Sequence, residues 1–412
     1  MSDLDRNRAE ALMQAAGMDG LAIFQPEAFR YATELDAGVA AMWRRAGACI
    51  ALVPADKRLR TGAVAADHAV QFLDLSTRNV DVLRQRIWID YLVLPPALGE
   101  DPFPELARQY AAQGLGGARP ESFDRAEAFR LLGELLDTRG LLSATIGCDL
   151  EFVPAADFAA LQEALPNVRF IDGSDVLRRL RMIKSQRELQ CLIDASDASE
   201  DGMRHMAQAL RAGMTIGDLD ALWEEGVFAS LARKGRRASS LRKGIAVGPD
   251  LSNGHARVER GALIKADMGV AIDGYLSDGT RTMCFGTPDP AAVRIYSVLG
   301  EAFAAGLEKI RPGNTFGEVH AAVLAVTRRR GMPDYCRGHF GHSIGASCGS
   351  EEWPFISAGN REPIMPGMML AFETPFYGHG LGAMMIEDQV MVTETGAEVI
   401  NTMPRELVIL RS

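Results

Sequence analysis

The sequence predicts a mixed α/β protein in two parts, a smaller domain over residues 1–178 and a larger one over residues 179–412. Three observations carry that prediction. Short apolar runs alternate with helical patterns through the first part. A capping box opens a long helix just after the boundary. A glycine–threonine–glycine–acid motif then recurs in matching context at a spacing of 100 residues.

In the first part, Gly20 to Gln25 (GLAIFQ), Ala48 to Val53 (ACIALV) and Trp88 to Leu94 read as strands. Ala126 to Thr138 carries a helical pattern, and Thr145 to Cys148 and Arg169 to Asp172 read as closing strands. Ser185 followed by Glu188 is an S-x-x-E capping box, which marks the start of the second part. There, Arg211-Ala212-Gly213-Met214-Thr215-Ile216-Gly217-Asp218 is echoed by Arg311-Pro312-Gly313-Asn314-Thr315-Phe316-Gly317-Glu318. Each threonine suits a helix N-cap, and an amphipathic helix stands on either side of each copy. Two related halves that face each other would build a shared cleft.

Composition narrows the function classes. The chain has 412 residues, of which 47% are hydrophobic and 24% charged, so a disordered or fibrous chain is excluded. Lys and Arg total 44 against 54 Asp and Glu, a net charge of −10. Such a surface repels phosphate backbones, and a nucleic-acid role is not expected. No apolar run approaches the ~20 residues of a membrane span. The start, Met1-Ser2-Asp3-Leu4-Asp5-Arg6, lacks a secretory pattern, so a cytoplasmic protein is expected. Cys49, Cys148, Cys191, Cys284, Cys336 and Cys348 form no C-x-x-C pair and read as reduced, mostly buried thiols.

The chemistry concentrates in residues 261–387. Asp273-Gly274 is a hairpin turn pair between two apolar runs. A two-residue turn there sets Asp278 opposite Gly269, so Asp267 and Asp278 share one face at diagonal distance. Asp267 lies among Leu263, Ile264, Met268 and Val270, where a carboxylate is costly unless paired or metal-bound. Ion pairs to Arg281 or Lys265 are the structural alternative. Glu373 in MMLAFETPF and Glu387 in AMMIEDQVMV repeat the pattern in a second hairpin. His339-Phe340-Gly341-His342 stands between the two hairpins. One neutral imidazole and four hard carboxylates suit two divalent ions, with charges that balance. Manganese is the first expectation, with iron, cobalt or zinc as alternatives.

Asp267 and Asp278 around G-Y-x-S-D-x-T-R-T, His342 in G-H-S-I-G, Glu373, and Glu387 in I-E-D-Q-V resemble the pita-bread metallopeptidases. That group includes methionine aminopeptidase, aminopeptidase P, prolidase and the non-peptidase creatinase. The resemblance implies a pita-bread domain over residues 179–412 and a creatinase/prolidase-type N-terminal domain over residues 1–178. It makes Asp267, His342 and Glu373 terminal metal ligands, with Asp278 and Glu387 bridging. It implies an amide-cleaving hydrolase of Xaa-Pro dipeptidase or aminopeptidase type, driven by a metal-bridging hydroxide, with Glu373 as proton shuttle. His255 and His339 are candidates for catalysis, and His255, His339 and His379 for substrate binding. A homodimer is expected, as is a small-molecule or short-peptide substrate.

Three stretches depart from the family pattern. Gly349 and Ser350 stand where the proline peptidases carry a second histidine and an acid, and Met385 stands where members carry Arg. Thr374-Pro375 follows the first glutamate in place of Pro-Gly. The substrate-handling shell is altered around an intact ligand set. A small-molecule enzyme on the same scaffold is therefore the alternative, either a creatinase- or ectoine-hydrolase-like C–N hydrolase or a dimethylsulfoniopropionate-lyase-like enzyme.

Overall fold

A computed structural model describes residues 3–113, 118–347, 349 and 351–411. Met1, Ser2, Cys348 and Ser350, named above, lie outside the described residues. The chain divides into two compact units, Met1–Leu180 and Arg181–Ser412.

The first unit is built on one mixed sheet. Its strands are β1 (Gly20–Ile23), β2 (Ile50–Pro54), β3 (Thr61–Ala66), β4 (Val80–Gln85), β5 (Thr145–Cys148) and β6 (Arg169–Asp172), in the order β4-β3-β2-β1-β5-β6. Both faces are covered, which is why these strands read as continuous apolar runs. Leu21 and Ile23 of β1 face one apolar cluster with the helices Arg6–Ala15 and Pro26–Thr33. Ala22 and Phe24 face the other, beneath the helix Arg125–Asp137.

The expected strand at Trp88 to Leu94 does not form. Its side chains lie largely exposed, Val93 at 61%, and only the neighbouring Ile87 makes a single bridge, to Phe123. The sheet edge is taken instead by β4, parallel to β3. Only its two ends are fully buried, so Asp81 and Arg84 conceal it in the sequence.

The second unit carries the repeat. Helices Gln186–Ala209 and Ile216–Lys234 precede β7 (Ala238–Val247), β8 (Leu263–Ile272), β9 (Tyr275–Leu276) and β10 (Gly279–Phe285). Helices Pro290–Leu307 and Phe316–Arg329 precede β11 (His339–Ser343), β12 (Glu352–Ser357), β13 (Met369–Gly378) and β14 (Gly382–Val392). Two short strands, β15 (Ala397–Val399) and β16 (Val408–Leu410), pair with β14 and β10. The main path runs β12-β11-β13-β14-β10-β8-β7.

The two halves match in detail. Ser185 caps the first helix with a capping box to Glu188. Thr215 and Thr315 form capping boxes with Asp218 and Glu318. Each threonine also makes one isolated bridge, Thr215 to Arg257 and Thr315 to Pro363. The first helix pair packs into one apolar cluster and the second pair into another. The halves join where Thr280 of β10 pairs with Glu387 of β14.

Candidate metal centre

Strand register builds this site. Asp273 and Gly274 both take positive φ, 51° and 80°, so a type I′ turn closes the first hairpin. The ladder then sets Thr280 opposite Asp267 and Gly279 opposite Met268. Glu373 lies opposite Glu387 in the second hairpin. Asp267, Thr280, Glu387 and Glu373 therefore form one row across four adjacent strands. Directly opposed residues share a face, so the row presents three carboxylates to one side. Asp278, Gln389, Ala371 and His342 stand two residues along from the first row, on the same face. Asp278 is fixed there by its backbone N–H donating to Gln389 Oε1 at 2.9 Å. His342 pairs with Ala371 from β11.

Gly341 makes the approach of His342 possible. Its φ is +125°, and a Cβ there would fall 2.0 Å from the Ala371 carbonyl oxygen. Only glycine passes at that point.

The result is a buried convergence. Ligand atoms of Asp278, His342 and Glu387 lie within 4.8 Å of one another. His342 Nδ1 is 3.0 Å from the Ser343 carbonyl oxygen. A carbonyl only accepts, so Nδ1 carries the proton and Nε2 keeps its lone pair. Nε2 faces Asp278 Oδ2 at 3.7 Å. Thr280 Oγ1 donates to Glu387 Oε2 at 2.6 Å, which orients that carboxylate. His339 Nδ1 lies 3.4 Å from Glu373 Oε1.

Asp267 is less buried than its apolar neighbours suggest, and it is paired. Lys265 Nζ is 2.8 Å from its Oδ2, and Arg242 Nη2 is 2.8 Å from its Oδ1. The same Arg242 nitrogen also contacts Asp278 Oδ1. These strands thus supply more cations than their apolar pattern indicates. Arg281, the other partner considered for Asp267, turns away to Asp388 at 2.6 Å and is fully buried there.

Burial sets the protonation pattern. The Glu387 carboxyl is pushed well up by burial and by the charges of Asp267 and Glu373. Burial raises Glu373 to about 7, with Arg337 opposing and Asp267 adding to the rise. Burial also acts upward on Asp267, but Lys265 and Arg242 outweigh it and hold the group low. His342 and His339 are both pushed down, chiefly by burial, so both imidazoles are neutral near pH 7. Neutral imidazole and clustered carboxylates that resist ionisation together are what a divalent cation relieves. Arg242 occupies the place of such a charge between the two aspartates. The donor set fits a metal centre.

Among the described residues, no hydrogen bond or ion pair joins His255 or His379 to the cluster. His255 is exposed in the loop after β7. His379 lies in the β13–β14 turn, 70% exposed at the side chain and 3.7 Å from Asp250. Gly349 donates its backbone N–H to Ser347 Oγ at 3.3 Å and has open space where a Cβ would stand. Sequence reasoning passed over Arg242, Thr280 and Arg337. Thr280 was legible as the cross-strand neighbour of Asp267. Arg242 was not, because β7 alternates without a clear apolar face.

Comparison with known proteins gives two family-model matches and several relatives. Residues 190–394 match the model of metallopeptidase family M24, and residues 104–183 match the creatinase/prolidase N-terminal domain. The chain is 34% identical over 283 residues to the "Probable dipeptidase PepE" of Mycobacterium tuberculosis, which covers 66% of this chain and 74% of the relative. It is 30% identical over 242 residues to the Xaa-Pro dipeptidase of Pyrococcus furiosus, covering 57% of this chain and 67% of that one. The crystal structure of the dipeptidase PepE from Mycobacterium ulcerans matches with a TM-score of 0.72 at 27% identity. It covers 99% of this chain and 97% of its own.

Proposed function

The chain belongs to metallopeptidase family M24, and from that premise we propose that it is a two-metal peptidase cleaving Xaa-Pro dipeptides or similarly short peptides. The convergence of Asp278, His342 and Glu387, with Glu373 and Asp267 in the adjoining row, carries this reading. Asp267, His342 and Glu373 would each hold one ion, and Asp278 and Glu387 would span both. When bound, two divalent ions, manganese first, would supply an activated water and polarise the scissile carbonyl.

The remaining chemistry is the chain's own. Glu373, at the end of the carboxylate row opposite Glu387, is the carboxyl placed to take a proton and hand it to the leaving nitrogen. His339 is neutral and its Nδ1, 3.4 Å from Glu373, accepts from the Gly341 N–H, which leaves the proton on Nε2 to offer a substrate carbonyl. Thr280 and the Ser343 carbonyl lock the Glu387 and His342 ligand atoms in place. Arg242 and Lys265 balance the aspartates in the free chain. Among the described residues no helix is long and apolar enough to cross a membrane, and a cytoplasmic homodimer completes the reading.

The test is a hydrolysis screen on protein stripped by a chelator and then reloaded with manganese, cobalt or zinc. The proposal expects free proline from Xaa-Pro dipeptides only after reloading. Full activity in the stripped protein would remove the metal. Turnover confined to small non-peptide amides would remove the peptidase and restore the small-molecule alternative.

A further inference from the structure

The first unit holds a cluster of cations that no step at the metal centre uses. Arg84, Arg86 and Arg119 line one pocket of about 230 Å³, together with Asp67, Tyr91 and Gln113. Three guanidiniums thus meet one carboxylate, an excess of two positive charges in a chain whose net charge is −10. Like charges gathered in one concavity repel one another and attract a counter-ion.

The backbone builds the cluster. Arg84 on the edge strand β4 and Arg86 just beyond it are exposed. Gln85 between them is fully buried and donates Nε2 to the Gly47 and Ala48 carbonyl oxygens at 3.1 and 2.6 Å. Alternation along an extended chain therefore sends both arginines to the same side. Among the described residues, neither makes an ion pair or a hydrogen bond. Arg119 is fixed in place. Its Nη1 donates to the Ile87 and Ile89 carbonyl oxygens, each at 2.7 Å, and lies 3.3 Å from Asp67 Oδ2. Its Nη2 donates to Gln113 Oε1 at 3.3 Å, while its buried Nε has no hydrogen-bond partner.

A pre-set guanidinium with an unused N–H, beside two unpaired ones, is the donor set that a tetrahedral oxyanion fills. A phosphate monoester carries close to two negative charges at pH 7, which matches the excess in the pocket. Tyr91 adds an apolar wall, half exposed and packed against the Phe72 ring at 5.9 Å and the His68 ring at 6.1 Å.

We propose that the pocket of Arg84, Arg86 and Arg119 binds a phosphate group, either free phosphate or the phosphomonoester of a small molecule whose apolar part lies on Tyr91. The pocket lies wholly in the first unit and shares no residue with the metal centre, so it stands or falls apart from the peptidase reading.

The test is calorimetry on the full chain with inorganic phosphate and with phenyl phosphate, in a chelator so that no metal ion competes for them. One phosphate per chain is expected. Arg84→Gln and Arg86→Gln should each weaken binding about 10-fold, and the two together about 100-fold. Both side chains are exposed, so the far-UV circular dichroism should not change. Arg86→Lys, which keeps the charge without the fork, should retain part of the affinity. Tighter binding of phenyl phosphate, with the advantage lost in Tyr91→Ala, supports the proposal and assigns the site to a phosphomonoester. Equal or weaker binding of phenyl phosphate supports it and assigns the site to free phosphate. No binding at about 1 mM ligand overturns it. So does affinity that is unchanged in the double variant, or succinate bound as tightly as phosphate.

Discussion

Replacing Glu373 by glutamine should stabilise the metal-free protein at pH 8 and change it by less than about 1 kcal/mol at pH 5. Glu373 is 7% exposed, and its carboxyl is pushed from 4.5 to about 7, by burial above all. The folded chain therefore keeps this proton through a window in which the unfolded chain has lost it. A raised carboxyl contributes stability that is fully present below about 4.5 and is lost as pH rises through about 7. At about 1.36 kcal/mol per unit, the full window is worth on the order of 3 kcal/mol. A glutamine side chain cannot ionise, so the variant escapes that loss. His339 and His342, pushed down by burial, act with the opposite sign below the usual histidine range. The readout is therefore the difference between variant and unaltered chain, in which the histidine contributions cancel. Urea unfolding in a chelator at pH 5, 6, 7 and 8 should show that difference opening from about 1 to about 3 kcal/mol. Saturating manganese should reverse the order, since ligand at 100 times its Kd stabilises by about 2.7 kcal/mol and glutamine is the poorer ligand. A difference independent of pH, or a metal-free Glu373→Gln variant less stable than the unaltered chain at pH 8, would refute the reasoning.

Other substitutions test the supporting shell. Thr280→Val removes the 2.6 Å hydrogen bond to Glu387 and should weaken metal affinity about 10–100-fold by competition with a chelating dye, with the fold retained. Gly341→Ala brings a Cβ to 2.0 Å from the Ala371 carbonyl oxygen. It should cost at least ~1–3 kcal/mol in chemical unfolding and abolish metal uptake together with His342 placement. Arg281→Met takes from Asp388 one of its two 2.6 Å arginine partners, from Glu200 the farther of two arginines, and from the buried Thr280, Glu387 and Met403 carbonyls their guanidinium donor. A loss of about 3–5 kcal/mol in chemical unfolding is expected, and a loss below about 1 kcal/mol would show the network to be dispensable.

The second unit was more legible than the first for a physical reason. Its repeated helices open on capping boxes and its hairpin turns on Asp273-Gly274, both local codes that one sequence displays. The row of Asp267, Thr280, Glu387 and Glu373 follows from that register. In the first unit, β4 is an edge strand whose polar residues break the pattern, while the apolar run at Trp88 to Leu94 stays outside the sheet. Tertiary context decides such strands, and periodicity alone does not. Within the site, acids in apolar strands announced themselves by their cost. Arg242 and Arg337 did not, since a long cation looks alike in a sequence whether it reaches solvent or folds inward. His255 and His379 illustrate the converse, as glycine-flanked loop histidines that no contact ties to the cluster.

The most direct test of the metal centre is a crystal of zinc-loaded protein measured at the zinc edge. Two anomalous peaks about 3.5–4 Å apart are expected, with ligand atoms of Asp267, Asp278, His342, Glu373 and Glu387 at about 2.0–2.2 Å. Arg242 should have left its place between the two aspartates. A single peak, peaks elsewhere, or an Arg242 guanidinium still bridging Asp267 and Asp278 would contradict the account.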